Sequence, residues 1–233
     1  MQELIHFMQK LDWSPLFISL KTGAVATVLC FFLGTCLAGF VYRARPCVKA
    51  VVDGILTLPM VLPPTVAGFF LLLIFSLRRP FGKYLYQVHG IKVVQTWAGC
   101  ILAATIIALP LMYRNARAAF ELVDENLVYA ARTMGMSETA IFFRVLLPTA
   151  RPGILSGLIL TFARALGEYG ATSMLAGNIP GKTGTISQRI AMVIQDGNYA
   201  LAGFWTAVIT LIAFVIIVVM NLTAGRAGRE DLR

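Results

Sequence analysis

The amino-acid sequence predicts an all-α protein that crosses a membrane several times, and three observations support this fold class. The chain has 233 residues, of which 58% are hydrophobic and only 13% are charged, whereas soluble domains carry about 25% charged residues. The mean hydropathy is +0.77. Apolar runs that reach the length needed to cross a bilayer alternate with short polar segments. We therefore predict one transmembrane domain over residues 1–233, with about five spans and one long helix-turn-helix loop.

Five apolar segments are predicted to span the membrane. They cover residues 15–42, 51–76, 96–112, 153–174 and 199–222. Before the first span, residues 1–13 could form a short interfacial helix with Leu4, Ile5 and Met8 on one face. Lys21 lies near the start of the first span, where its long side chain can reach the headgroups. The segments 77–95 and 175–198 are predicted to be polar loops, and the residues after 222 a charged tail.

Three prolines interrupt the second span, in the stretch LPMVLPPTVAG. Pro59, Pro63 and Pro64 each lack a backbone donor, so the helix is expected to kink or break there. The carbonyl groups that lose their partners must face protein or a water-filled path rather than lipid. The three prolines and Thr65 are therefore candidates for a pore lining or a gate, and a packing kink away from any pore is the alternative.

The fourth span contains an ionisable pair in the stretch FARALGEYGAT. Arg164 and Glu168 are four residues apart, so their side chains can pair on one face of a helix. A charge near the middle of a membrane is costly unless it pairs or meets water. The pair indicates either a gate or subunit interface, or a neutralised contact that only locks helices together.

The longest polar interruption is the loop predicted over residues 113–151, which contains YAARTMGMSETAIFFRVLLP. Gly135 can adopt the left-handed turn that ends one helix, and Ser137 is suited to cap the next. From Ile141 onward, apolar residues repeat at the spacing of one helix face, and Pro148 is expected to end that helix. These features predict helix, turn and helix. An ordinary connecting loop is the alternative to a docking element.

Composition and motifs exclude several classes of function. The net charge is +9, but the basic residues lie in short segments between apolar runs, so nucleic-acid binding is not predicted. The four cysteines have no CxxC spacing and are expected to be reduced thiols, not metal ligands. Gly181, Lys182 and Thr183 resemble the end of a phosphate-binding loop, but Ala176 stands where that loop needs its first glycine. We expect no catalytic residues, no cofactor and no metal.

The long loop resembles the cytoplasmic loop of ABC-importer permeases, whose pattern is Glu-Ala-Ala, three residues, Gly, nine residues, Ile, one residue, Leu-Pro. In this chain Val145 replaces the Ile, and Tyr129 replaces the Glu, which puts any salt bridge of that Glu in doubt. The stretches LPMVLPPTVAGFFLL, FARALGEYGAT and AGNIPGKT are similar to the molybdate branch of the oxyanion importers. The resemblance implies that the loop docks on an ATPase through these residues: Ala130, Ala131, Gly135, Ile141, Val145, Leu147 and Pro148.

The resemblance also implies the rest of an assembly and its location. Two copies of the chain would form a pore in the bacterial inner membrane, surrounded by lipid. Two ABC ATPase subunits would bind from the cytoplasm, and a periplasmic oxyanion-binding protein would deliver molybdate. Lys and Arg are more numerous on the side of the long loop, so the positive-inside rule predicts a periplasmic N-terminus and a cytoplasmic C-terminus. Sulfate, thiosulfate or tungstate are alternative cargoes, and a stand-alone secondary transporter is an alternative mechanism.

Overall fold

The structure is a computed structural model that describes the backbone of residues 12–230 and the side chains of residues 12–222, and this part of the chain contains helices but no β-strand. The predicted all-α class is confirmed. The predicted interfacial segment 1–13 lies, except for its last two residues, outside the described residues. The helices are α1 (Ser14–Tyr42), α2 (Pro46–Val61), α3 (Pro64–Phe75), α4 (Pro80–His89), α5 (Trp97–Glu121), α6 (Glu125–Thr133), α7 (Glu138–Ile141), a π-helical turn (Phe142–Leu146), α8 (Leu147–Thr149), α9 (Arg151–Leu166), α10 (Gly170–Leu175), α11 (Ile186–Gln195) and α12 (Tyr199–Glu230).

Helices α1, α5 and α9 form the centre of the molecule and pack closely through small residues. A Cβ atom added to Gly34 of α1 would lie 2.8 Å from Met112 of α5, and one added to Gly157 of α9 would lie 2.6 Å from Asn115. Small residues let helix backbones approach closely, and dispersion contacts then hold them together in lipid. These three helices form the rigid core to which the other elements attach.

Among the residues that the structure describes, three helices are long and apolar enough to cross a membrane individually: α1, α5 and the part of α12 from Tyr199 to Leu222. Two more spans result if each of two bent pairs crosses once. Helices α2 and α3 form one such pair, bent by 110°, and the segment Glu138–Thr149 with α9 forms the other, bent by 71°. The predicted number of about five agrees with the upper value. In the most apolar 18-residue stretch of α12, only 6% of the residues are buried, as expected of a lipid-facing helix.

The third span is longer than predicted. Its helix passes through Pro110 and ends at Glu121, not at Met112. A proline inside a helix removes one hydrogen bond, but Tyr113, Ala116 and Phe120 are at most 1% exposed against the core. This packing stabilises the helix beyond Pro110. The loop that leads to α9 therefore begins at Leu122.

Other predicted boundaries are also wrong. The segment 77–95 was predicted to be a loop but contains α4, which begins with Pro80 and ends before Gly90 at a left-handed φ of 66°. A proline in the first turn and a glycine just after the last turn indicate a helix. The polar composition of the segment hid this signal. The predicted span 153–174 breaks after Leu166 and resumes at Gly170. The fifth predicted span, 199–222, matches a candidate span, and its helix continues into the charged tail as far as Glu230.

Candidate functional site

The loop between α5 and α9, residues 122–150, folds as a small unit with its own apolar centre. Val128 and Ala131 of α6 pack against Ile141 of α7, and all three are buried. Gly135 lies between the two helices with a φ of 76°, a conformation that costs glycine little. Ser137 Oγ accepts a hydrogen bond from the amide of Ala140 at 3.3 Å. The predicted helix-turn-helix and the roles of the turn glycine and the capping serine are confirmed.

The second half of this loop differs from the prediction at Pro148. The helix does not end there: α7 leads into the π-helical turn, and α8 contains Pro148 and ends at Thr149. In the π turn the Leu147 amide pairs with the Phe142 carbonyl, five residues back. This changed pairing lets the chain pass through a residue without an N–H. The change of direction comes at the end of α8, where the chain bends by 71° into α9.

The seven predicted docking residues divide by their exposure. Ala131 and Ile141 are 2% and 1% exposed, so they hold the loop together and present no surface to a partner. Val145 and Leu147 are half-buried. The exposed members of the set are Ala130, Gly135 and Pro148.

Two exposed apolar side chains that sequence reasoning missed extend the surface around Ala130. Leu127 is 48% exposed and Met134 is 74% exposed. Positions 127, 130 and 134 follow the spacing of one helix face, next to the side of α6 that carries the buried Val128 and Ala131. We call Leu127, Ala130 and Met134 the apolar stripe. The sequence signal was present, because the apolar residues of α6 and its last turn cover a wider arc than the buried side alone needs.

Ion pairs fix the loop to the end of α1. The Arg132 Nε donates to the Glu138 carboxylate at 2.8 Å. Arg43, just after α1, donates to the backbone carbonyl of Glu138 at 2.8 Å and lies 3.5 Å from its carboxylate. The hydrogen bond from Arg132 lowers the pKa of Glu138. Tyr129 donates to Glu125 of its own helix at 3.3 Å, so the tyrosine that replaces the family's glutamate is also engaged within the loop.

A second polar cluster joins α2 to α5 next to the loop. The Asp53 carboxylate accepts hydrogen bonds from the Tyr113 hydroxyl at 2.5 Å and from Arg117. Arg117 Nε also donates to Glu121 at 2.9 Å. Helix α2 has no buried residue along its 16 positions, so this cluster is a polar attachment of an otherwise loosely packed helix. Sequence reasoning missed it because Asp53 lies 60 residues before Tyr113 and 64 residues before Arg117.

The break in the second span lies directly beside the break in the fourth. The first break falls between Val61 and Pro64, as the proline cluster predicted, while Pro59 lies inside α2. A Cβ added to Gly170, where α10 begins, would lie 3.0 Å from Pro64. One turn further, a Cβ on Gly68 would lie 2.6 Å from the Ala171 backbone. The two half-helices that follow the breaks therefore pack backbone against backbone, with Pro63 and Thr65 exposed and Pro59 and Pro64 half-buried.

Arg164 and Glu168 pair as predicted, at 2.8 Å, but not along one helix. Glu168 lies in the break between α9 and α10, and its other carboxylate oxygen accepts the Ala171 amide at 2.8 Å. The side chain of Glu168 is 2% exposed and that of Arg164 is 33% exposed. The carboxylate thus neutralises the arginine and caps the first turn of α10, which places the pair at the break of the fourth span.

The segment that resembles a phosphate-binding loop uses its amides internally. The backbone N–H groups of Lys182, Thr183 and Gly184 all donate to the carbonyl of Ile179, at 2.9 to 3.1 Å. A phosphate-binding loop needs such amides free to face the ligand. This turn therefore cannot hold a phosphate without losing its own hydrogen bonds.

Residues 22–227 match the family described as the inner membrane component of binding-protein-dependent transport systems. The chain belongs to this family. The matched range includes both the loop with the apolar stripe and the two broken spans. These features are therefore parts of a transport component.

Relatives of this transport component match along most of their length. The putative molybdenum transport system permease protein YvgM of Bacillus subtilis is 37% identical, over 88% of this chain and 90% of the relative. The molybdenum transport system permease protein ModB of Escherichia coli K12 is 36% identical, over 94% of this chain and 96% of the relative. Among solved structures, the methionine ABC transporter MetNI in an inward-facing conformation matches with a TM-score of 0.72 at 18% identity, over 97% of this chain and 98% of that chain. That likeness shows the fold of an ABC-importer membrane subunit.

Proposed function

We propose that this chain is the permease subunit of an ATP-driven importer that carries molybdate across the bacterial inner membrane. Identities of 36–37% to two molybdenum permeases over most of their length support the cargo. The observation that carries the mechanism is the apolar stripe of Leu127, Ala130 and Met134, three exposed residues at the spacing of one helix face. ATP hydrolysis belongs to a separate subunit in this scheme.

The apolar stripe fits recognition of a helix in a groove of the ATPase. Such recognition uses an amphipathic helix whose apolar residues repeat at i, i+3 and i+7, which is the spacing of the stripe. Ala130 at the centre lets the two backbones approach. The loop behind the stripe is held by its buried centre and by the Arg132–Glu138 and Arg43–Glu138 contacts. It can therefore follow the ATPase as a rigid body.

Two connections carry this motion towards the membrane. Helix α5 runs without interruption from the loop to the opposite end of the core, over about 36 Å for its 25 residues. The Asp53 cluster makes α2 follow α5, and α2 leads directly to the break before Pro64. In our scheme the adjacent breaks are the hinge of the gate, and the Arg164–Glu168 pair holds the break in the fourth span.

The complete machine, in this proposal, contains two copies of the chain, two ATPase subunits and a periplasmic binding protein. The loop with the stripe faces the cytoplasm, together with the C-terminus, and the N-terminus faces the periplasm. Helix α2 supports the pairing of two copies, because Val51, Ile55 and Leu58 are each more than half exposed and share one face.

Reconstitution tests the function. The permease should co-purify with the ATPase, and in proteoliposomes the ATPase rate should rise when binding protein loaded with molybdate is added. Tungstate and sulfate arms measure the selectivity of the complex. Uptake by the permease alone, without ATP, would refute the proposal. For orientation, a membrane-impermeant maleimide should not label Leu122→Cys from outside intact cells in a background without the four native cysteines.

A further inference from the structure

Helix α4 is an amphipathic helix at the end of the molecule opposite the apolar stripe. It connects α3 to α5 and precedes Trp97, the first residue of α5. The loop that carries the stripe follows Glu121, the last residue of α5. The Phe81 ring packs edge-on against Phe75, the last residue of α3, with ring centroids 5.4 Å apart. Helix α4 is therefore attached at the level where a membrane-embedded helix ends.

The packing of Gly82 determines which face of α4 points away from the protein. A Cβ at this position would lie 2.4 Å from the backbone oxygens of Phe75 and Ser76, so this side rests directly on the end of α3. Phe81, Tyr84 and Val88 form a stripe at i, i+3 and i+7, and each is more than half exposed. Lys83 and Gln87 lie on a different, polar face.

The charged residues on and around α4 are all basic. Residues 77–95 contain no Asp or Glu. The segment carries four cations before, within and after the helix: Arg78, Arg79, Lys83 and Lys92. Basic residues beside an exposed apolar face are the pattern of helices that lie in the plane of a membrane interface, and tyrosines such as Tyr84 and Tyr86 are enriched at that level.

We propose that α4 lies in the membrane interface, with Phe81, Tyr84 and Val88 among the lipid chains and with its cations bound to anionic lipid headgroups. A soluble protein partner would leave this apolar stripe in water whenever it dissociated, whereas lipid covers it continuously. Anionic lipid attracts each nearby Lys or Arg by about 1 kcal/mol. The attachment of α4 to α3 then also fixes the depth of α3 in the bilayer.

Spin labels test the placement of the helix in the reconstituted full-length permease. Val88→Cys and Gln87→Cys are labelled in a cysteine-free background, in nanodiscs of phosphatidylcholine with phosphatidylglycerol. We expect oxygen to relax the label at position 88 more than the water-soluble NiEDDA does, and the reverse at position 87. Equal access of NiEDDA to both positions would overturn the proposal. So would protection of position 88 that appears only when binding protein is added.

Spin-labelled lipids test the headgroup contact. The permease should immobilise phosphatidylglycerol in preference to phosphatidylcholine. The variant Arg78→Gln/Arg79→Gln should reduce that preference by about fivefold for each charge removed. Lys182→Gln removes an exposed cation from the other loop at the same end and should leave the preference unchanged. An equal loss in both variants would show a non-specific charge effect and refute the lipid site.

Discussion

The docking proposal predicts that shortening two side chains of the apolar stripe weakens ATPase binding without unfolding the loop. Full burial of a Leu or Met side chain is worth about 1.5–3 kcal/mol. Leu127 is 48% exposed and Met134 is 74% exposed, so covering what remains contributes about 0.7–1.4 and 1.1–2.2 kcal/mol respectively. Leu127→Ala/Met134→Ala should therefore raise the Kd for the ATPase by about 20- to 400-fold per loop.

The assay is a titration of labelled ATPase subunit onto the permease in nanodiscs, followed by anisotropy. Leu122→Ala is the matched control, because Leu122 is 86% exposed but lies outside the stripe. Ala131→Trp serves as the folding control, since it would overpack the buried centre of the loop. Hydrogen exchange in residues 125–147 should rise for that variant and stay unchanged for the double variant. An unaltered Kd for the double variant, or an equal loss for Leu122→Ala, would refute docking through the stripe.

Three further predictions concern the ion pairs. Asp53→Asn should leave ATPase binding intact but reduce ATP-driven uptake, and Asp53→Arg with Arg117→Asp should restore part of the uptake if the pair transmits motion. Glu168→Gln should lower the free energy of unfolding of the detergent-solubilised permease by up to about 3 kcal/mol, because it leaves Arg164 without its partner but partly solvated. An unchanged free energy of unfolding would show that the pair is dispensable for stability. Because the folded pKa of Glu138 is lowered, its contribution to the loop is complete above its ordinary pKa and is lost as pH falls through the lowered value. Protease cleavage of the loop should accelerate over that acidic range, and Glu138→Gln should remove this dependence.

The sequence predicted the elements whose signals are local. The turn at Gly135, the cap at Ser137 and the break at Pro63 and Pro64 each depend on the intrinsic conformational limits of the residue involved. The continuation of α5 through Pro110 was not predictable in this way, because it depends on burial against α1. In the same way, the distinction between Ala130 and Ala131 requires knowledge of which face of α6 meets α7. Adjacent alanines in a motif look equivalent until the packing is known.

The contacts of the loop and of α2 together define which parts move and which stay together. The loop is tied to α1 through Arg43 and continues from α5, so in the proposed mechanism a push on the stripe acts on the core of α1, α5 and α9 as one body. Helix α2 contacts that core only through partly buried residues such as Val52 and Leu56, so in the proposed mechanism the Asp53 cluster strengthens its coupling to α5. The free energy needed to bend the chain is lowest where backbone hydrogen bonds are already missing, and this occurs at the paired breaks beside Pro64 and Gly170. Motion of the core should therefore appear as a change of angle at those breaks, while the distance between α2 and α5 at Asp53 stays constant.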